Sequence, residues 1–143
     1  MQQIKSIITV CVFILCFSTL ISCSKDNTLS SINSSQQFLV NKTWYLDYTQ
    51  TISSTGSITK TFIGQPTYYI NFLTDKGTED SDGIKGTYSI EQSNSQLQLH
   101  VIAHTINGNP IEYIYKIESI GAKNLVLNHS LNNTTIKQFY SAK

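Results

Sequence analysis

The chain has 143 residues, 40% of them hydrophobic and only 13% charged, with a formal net charge of +1. All ten basic residues are lysines, so the guanidinium fork favoured for phosphate and nucleic acid is missing. No basic stripe interleaved with aromatics replaces it, and nucleic acid is set aside as a partner.

The first element reads as a targeting segment. The amino terminus and Lys5 supply a small positive region, and "SIITVCVFILCFSTLIS" supplies an apolar one. Its core, Ile7 to Ile21, is short against the ~20 residues that span a bilayer, and no basic stop-transfer cluster follows. Residues 1–22 are therefore expected to be a removed signal peptide. Its end, Leu20-Ile21-Ser22-Cys23, resembles the lipobox of bacterial lipoproteins, which implies acylation of Cys23, as with palmitate, and anchoring to a membrane. Lys25-Asp26 resembles, incompletely, the short acidic export tags of some Gram-negative lipoproteins. The expected location is the outer membrane, on its periplasmic or cell-surface face. Cys11 and Cys16 leave with the signal, so the mature chain keeps no free thiol and no disulfide.

Residues 23–36, "CSKDNTLSSINSSQ", read as the lipidated cysteine and a solvated, flexible tether. "SSQQFLVNKTW" has room for one helical turn, with Ser34 or Ser35 as its N-cap. From Thr43 onward eight strands are predicted, separated by turn signals: "TWYLDYTQTI", "ITKTFI", "TYYINFLT", "IKGTYSIEQ", "QLQLHVIAHTI", "IEYIYKIESI", "LVLNHSL" and "TTIKQFYSA". Alternation puts Trp44, Leu46 and Tyr48 on one face, as it does Tyr68, Ile70 and Phe72. Leu97, Leu99 and Val101 share a face, and so do Tyr113, Tyr115 and Ile117. The opposite faces are polar. Short connections imply antiparallel neighbours, and closure removes exposed edges. The predicted fold for residues 37–143 is all-β, an eight-stranded antiparallel up-and-down barrel, with a two-sheet sandwich as the alternative.

The order of motifs resembles lipocalin-like domain bacterial lipoproteins. "VNKTWYLDY" is similar to their opening G-x-W strand, with Lys42 where Gly is expected. "YYINFLTDKGT", "IKGTYSIEQSNSQLQL" and "YKIESIGAKNLVLNHS" resemble the middle and closing strands. The arginine that full lipocalins lay over the Trp is absent, and Lys137 is the candidate to replace it. The resemblance implies that Trp44 closes one barrel end. It also implies that Tyr48, Tyr68, Ile70, Phe72, Tyr88, Leu99, Val101, Tyr113, Tyr115 and Ile117 line the interior. There they either hold a small apolar ligand or simply fill the barrel. In the second case the protein is a structural or interaction module with an envelope-protein partner.

Other chemistry finds weak support. His100 and His104 lie ~13 Å apart along a strand at ~3.3 Å per residue, too far to share a metal. "DKGTEDSDG" aligned on a calcium loop puts Thr78 first and Ser89 twelfth, where acidic ligands are required, so it reads as a solvated hairpin loop. There is no G-x-S-x-G and no H-E-x-x-H. A non-enzymatic protein without cofactor or metal is expected.

Overall fold

The computed structural model describes residues 26–62, 68–104 and 108–143. The signal segment and Cys23 lie outside them. Among the described residues, no helix is long and apolar enough to cross a membrane.

Among the described residues one helix, α1 (Asp26–Leu39), precedes nine strands: β1 (Thr43–Ser53), β2 (Gly56–Thr61), β3 (Tyr69–Phe72), β4 (Gly77–Asp80), β5 (Lys85–Ser93), β6 (Gln96–His104), β7 (Pro110–Ile120), β8 (Asn124–Leu131) and β9 (Thr134–Ala142). From β3 to β9 each strand pairs antiparallel with the next, and β9 pairs back onto β1, so the sheet closes. Two turns show why the hairpins form. Asn94-Ser95 and Asn132-Asn133 all have positive φ, the conformation that two-residue hairpin loops require and asparagine tolerates. They pin the registers Ser93↔Gln96 and Leu131↔Thr134.

The barrel has eight strand positions, but not the eight strands expected. The second position is shared. β2 pairs with the far half of β1 (Tyr48↔Thr61 to Ser53↔Gly56), and β3 pairs with its near half (Thr43↔Asn71 to Tyr45↔Tyr69). The Phe62 amide donates a hydrogen bond to Asp47 O (2.7 Å) and the Leu46 amide one to Tyr68 O (2.9 Å), and these carry the pairing up to the break. The count returns to eight because β4 lies inside "DKGTEDSDG", which was expected to be loop. Asp75 Oδ1 accepts from the Gly77 amide (2.9 Å) before the strand, and Asp80 Oδ1 accepts from the Asp82 (3.0 Å) and Ile84 (2.9 Å) amides after it. These carboxylates shape two turns around a short strand.

The expected tether is helical from Asp26. In α1, Ile32, Ser35 and Leu39 fall at helical spacing on one face; Leu39 is fully buried and Ser35 nearly so, its small side chain allowing close approach. The end of α1 is fastened to the barrel. Trp44 Nε1 donates to Leu39 O (2.8 Å), satisfying a carbonyl that the last turn leaves free. Lys42 Nζ donates to Phe38 O (2.9 Å) and to Ala122 O in the β7–β8 turn (3.0 Å). The same ammonium lies 5.5 Å from the Trp44 ring centre. Lys42, at the position where glycine was expected, therefore supplies the cation over the tryptophan. Lys137 does not; it bonds Glu118 (2.7 Å) on the outer face. That bond, helped by one from Asn128, holds the Glu118 carboxyl below its usual range.

The core occupies the end of the barrel nearest α1. Leu39, Trp44, Phe72, Leu99 and Leu125 are its largest fully buried side chains. Gly86 marks a close crossing of strands: a Cβ there would collide with the Ile102 carbonyl oxygen and press on Thr78 Oγ1 at 2.9 Å.

Candidate functional site

Above the core the barrel is not filled. A cavity of about 280 Å³ is lined by Tyr68, Ile70, Phe72, Thr78, Asp80, Ile84, Leu99, Val101, Ala103, Tyr113, Tyr115, Leu127, Gln138 and Tyr140. Phe72, Leu99, Leu127 and Tyr140 are buried and form the floor, whereas Tyr113 is 42% exposed at the mouth. Strand alternation builds this wall: Phe72 and Ile70, Leu99, Val101 and Ala103, Tyr115 and Tyr113, and Tyr140 and Gln138 climb their strands two residues at a time.

Seven of the ten expected lining residues are in the wall: Tyr68, Ile70, Phe72, Leu99, Val101, Tyr113 and Tyr115. Tyr88 and Ile117 lie lower, in the packed core. The Tyr88 hydroxyl donates to Leu73 O (3.0 Å), and its ring meets Phe72 edge-on (5.2 Å). Tyr48 is a correction. The β1–β9 register slips between Leu46, which faces Tyr140, and Tyr48, which faces Phe139. This bulge at Asp47 reverses the alternation. Tyr140 points inward, so its neighbour Phe139 points outward, and Tyr48 stacks on Phe139 at 4.2 Å on the outer face.

Thr78, Asp80, Ile84, Ala103, Leu127, Gln138 and Tyr140 were not anticipated. The i, i+2 pairs Leu125/Leu127 and Gln138/Tyr140 carried a signal for three of them. For Asp80 there was none, because its strand reads as an acidic loop.

The polar groups of the wall converge. The Tyr68 hydroxyl donates to Asp80 Oδ2 at 3.4 Å. Gln138 Oε1 is buried and has no hydrogen-bond partner among the described residues. Burial, then the nearby Asp80 carboxylate, raises the Tyr68 phenol well above its ordinary range. Burial, then Tyr113, pushes Tyr115 up to about 12. Tyr140 is raised strongly by burial, with Tyr68 and Tyr115 adding to it. All three hydroxyls therefore stay protonated across neutral pH and can donate or accept.

One seam borders this space. β7 pairs with β8 only from Lys116↔Asn128 to Ile120↔Leu125. Beyond that point Pro110–Tyr115 stays with β6 and His129–Leu131 stays with β9. The Tyr115 and His129 rings meet edge-on at 5.4 Å across the base of the seam. Ile111, Tyr113 and Leu131 share the inward parity of their strands but are exposed at its lips.

The chain resembles a solved lipocalin-like protein. That protein comes from Bacteroides uniformis ATCC 8492; the TM-score is 0.48 and the identity 17%, over 73% of this chain and 97% of that one. No family model and no curated protein matches the chain.

No group of three His, Cys, Asp or Glu side chains among the described residues is placed to hold a metal. His100 lies on the outer face, with Nδ1 3.1 Å from Glu112 Oε1. The arrangement is suited to enclosing a small molecule with an apolar body and one polar end.

Proposed function

We propose that the protein is a lipid-anchored, lipocalin-like binding protein of the cell envelope that carries a small, mainly apolar ligand in its barrel. The observation that carries the reading is the cavity of about 280 Å³. It falls just below the ~300–1,000 Å³ usual for ligand pockets, so only a ligand smaller than a typical drug fits. A barrel meant only as a scaffold gains stability from filling such space, since each cavity costs dispersion contacts and burial. The apolar lips of the β7–β8 seam favour the same reading, because they offer an apolar ligand a path from the mouth to the floor.

The anchor part of the proposal rests on Leu20-Ile21-Ser22-Cys23. Two or three acyl chains on Cys23 would hold the barrel at the outer membrane, where a single chain binds only marginally. No step of this function uses catalysis.

The test is to purify the protein, extract it with organic solvent and weigh what is released. A stoichiometric small molecule supports the carrier reading. An empty barrel that also takes up no added apolar compound refutes it. In the same preparation, intact mass should show an acylated Cys23 as the first residue, and Cys23→Ser should leave an unprocessed precursor; normal processing of that variant refutes the anchor.

A further inference from the structure

We propose that the cavity discriminates by head-group charge: it accepts a small apolar molecule ending in an uncharged hydrogen-bond donor, an alcohol or phenol, and rejects one ending in a carboxylate. This rests on the carrier reading above and names its ligand class.

The charge distribution of the wall carries the inference. Among the described residues, Asp80 and tyrosines are the only ionisable groups that line the cavity and no lysine does; the chain has no arginine. The stretches 63–67 and 105–107 contain no ionisable side chain either. The lysines of the neighbouring strands sit on the outer face. Lys137 is one step off the inward parity of Gln138 and Leu127, and it bonds Glu118. Lys85 pairs with Glu79, one step from the inward Thr78. Lys116 pairs with Asn128, one step from the inward Leu127. His129 shares the inward parity of Leu127, touches Tyr115 edge-on and has its own Nδ1 buried without a partner among the described residues, but it is not among the lining residues. A carboxylate brought into this space would lose its hydration, meet no lysine or arginine and share a small volume with the Asp80 carboxylate.

The hydrogen-bond inventory points the same way. Gln138 Oε1 is an acceptor, buried and unpartnered among the described residues. It calls for a donor. An alcohol supplies one, and its oxygen can in turn accept from a tyrosine hydroxyl of the same wall. A carboxylate supplies no donor, so Gln138 Oε1 would stay unsatisfied. The volume suits a single ring with a short substituent: about 280 Å³, against the ~150 Å³ of a dry cavity known to hold benzene.

Three probes with one ring and different ends test this: benzyl alcohol, toluene and benzoate. They are titrated calorimetrically at pH 7 into the full chain carried in lipid nanodiscs, with empty nanodiscs as the blank. Benzyl alcohol should bind at least about tenfold more tightly than benzoate, the scale set by one buried hydrogen bond. Gln138→Leu should lower the affinity for benzyl alcohol relative to toluene by about tenfold. Asp80→Asn keeps the Oδ1 acceptor for the Asp82 and Ile84 amides, so the fold stands, and it should narrow the gap between alcohol and benzoate. Benzoate binding as tightly as benzyl alcohol overturns the proposal and leaves the carrier reading intact. Failure of all three probes to bind overturns the carrier reading, and this proposal with it.

Discussion

Gln138→Leu should make the protein more stable while spoiling its site. Gln138 Oε1 is buried without a partner among the described residues, although the Gln138 backbone keeps its place opposite Thr49 and Leu127. A buried acceptor left unpaired costs about 1–3 kcal/mol. Leucine has similar volume, needs no partner and adds apolar burial against Tyr140 and Leu127, so most of that penalty should return as stability. A net gain of about 1–2 kcal/mol is expected, which corresponds to a rise in Tm of roughly 4–8 °C for a domain of this size. In urea the midpoint should move up by about 0.5–1 M at unchanged slope. Urea and thermal unfolding followed by tryptophan fluorescence measure both, since Trp44 is the single, fully buried reporter. Equal or lower stability of the variant would show that Gln138 is satisfied in the native protein, and the argument from its free oxygen would fail.

Trp44→Phe keeps an aromatic plug but leaves Leu39 O without its donor, and should cost about 1–3 kcal/mol, read as a lowered urea midpoint by circular dichroism. Gly86→Ala drives a methyl into the Ile102 carbonyl and should cost about 1–3 kcal/mol in the same assay, although alanine is the better residue for an ordinary extended chain. The buried tyrosines set an alkaline limit. Tyr115 ionises at about 12 in the folded chain and near its ordinary 10 when unfolded. Its contribution is therefore complete below pH 10 and is lost as the pH climbs from 10 to 12. At about 1.4 kcal/mol per unit it removes up to ~3 kcal/mol, with Tyr68 and Tyr140 acting in the same direction. Urea midpoints at pH 8, 10 and 11 should fall only in the upper interval; a flat profile to pH 11 counts against the burial of these phenols. Cysteines in place of Tyr113 and Leu131, oxidised to draw the lips of the β7–β8 seam together, should slow ligand exchange, and unchanged exchange kinetics would exclude the seam as the path.

Much of the barrel was legible because half-buried strands print their alternation directly into sequence. The rows of β6 and β7 (Leu99 and Val101, Tyr113 and Tyr115) led straight to the cavity wall. What escaped reading was what depends on pairing rather than pattern. A bulge at Asp47 adds one residue to β1 and turns Tyr48 outward, although Trp44-Leu46-Tyr48 alternates without fault. β4 carries no apolar residue at all; Thr78 is buried because Gly86 and the sheet close over it. α1 was hidden by its serines, since Ser35 serves as a small contact residue that no hydrophobic pattern reveals. Lys42 looked like a departure from a glycine position, and its role became visible only when the chain brought Phe38, Ala122 and Trp44 around one ammonium.

Ligand uptake by the barrel interior is open to a single measurement. The most direct test is calorimetric titration of a small neutral phenol, 4-ethylphenol, into the wild-type chain and into Ala103→Phe, whose ring would occupy the cavity from β6. Binding of one molecule per chain to the wild type, abolished in a variant that unfolds at the same urea concentration, is the predicted result. No binding to the wild type, or equal binding to both, would contradict the account.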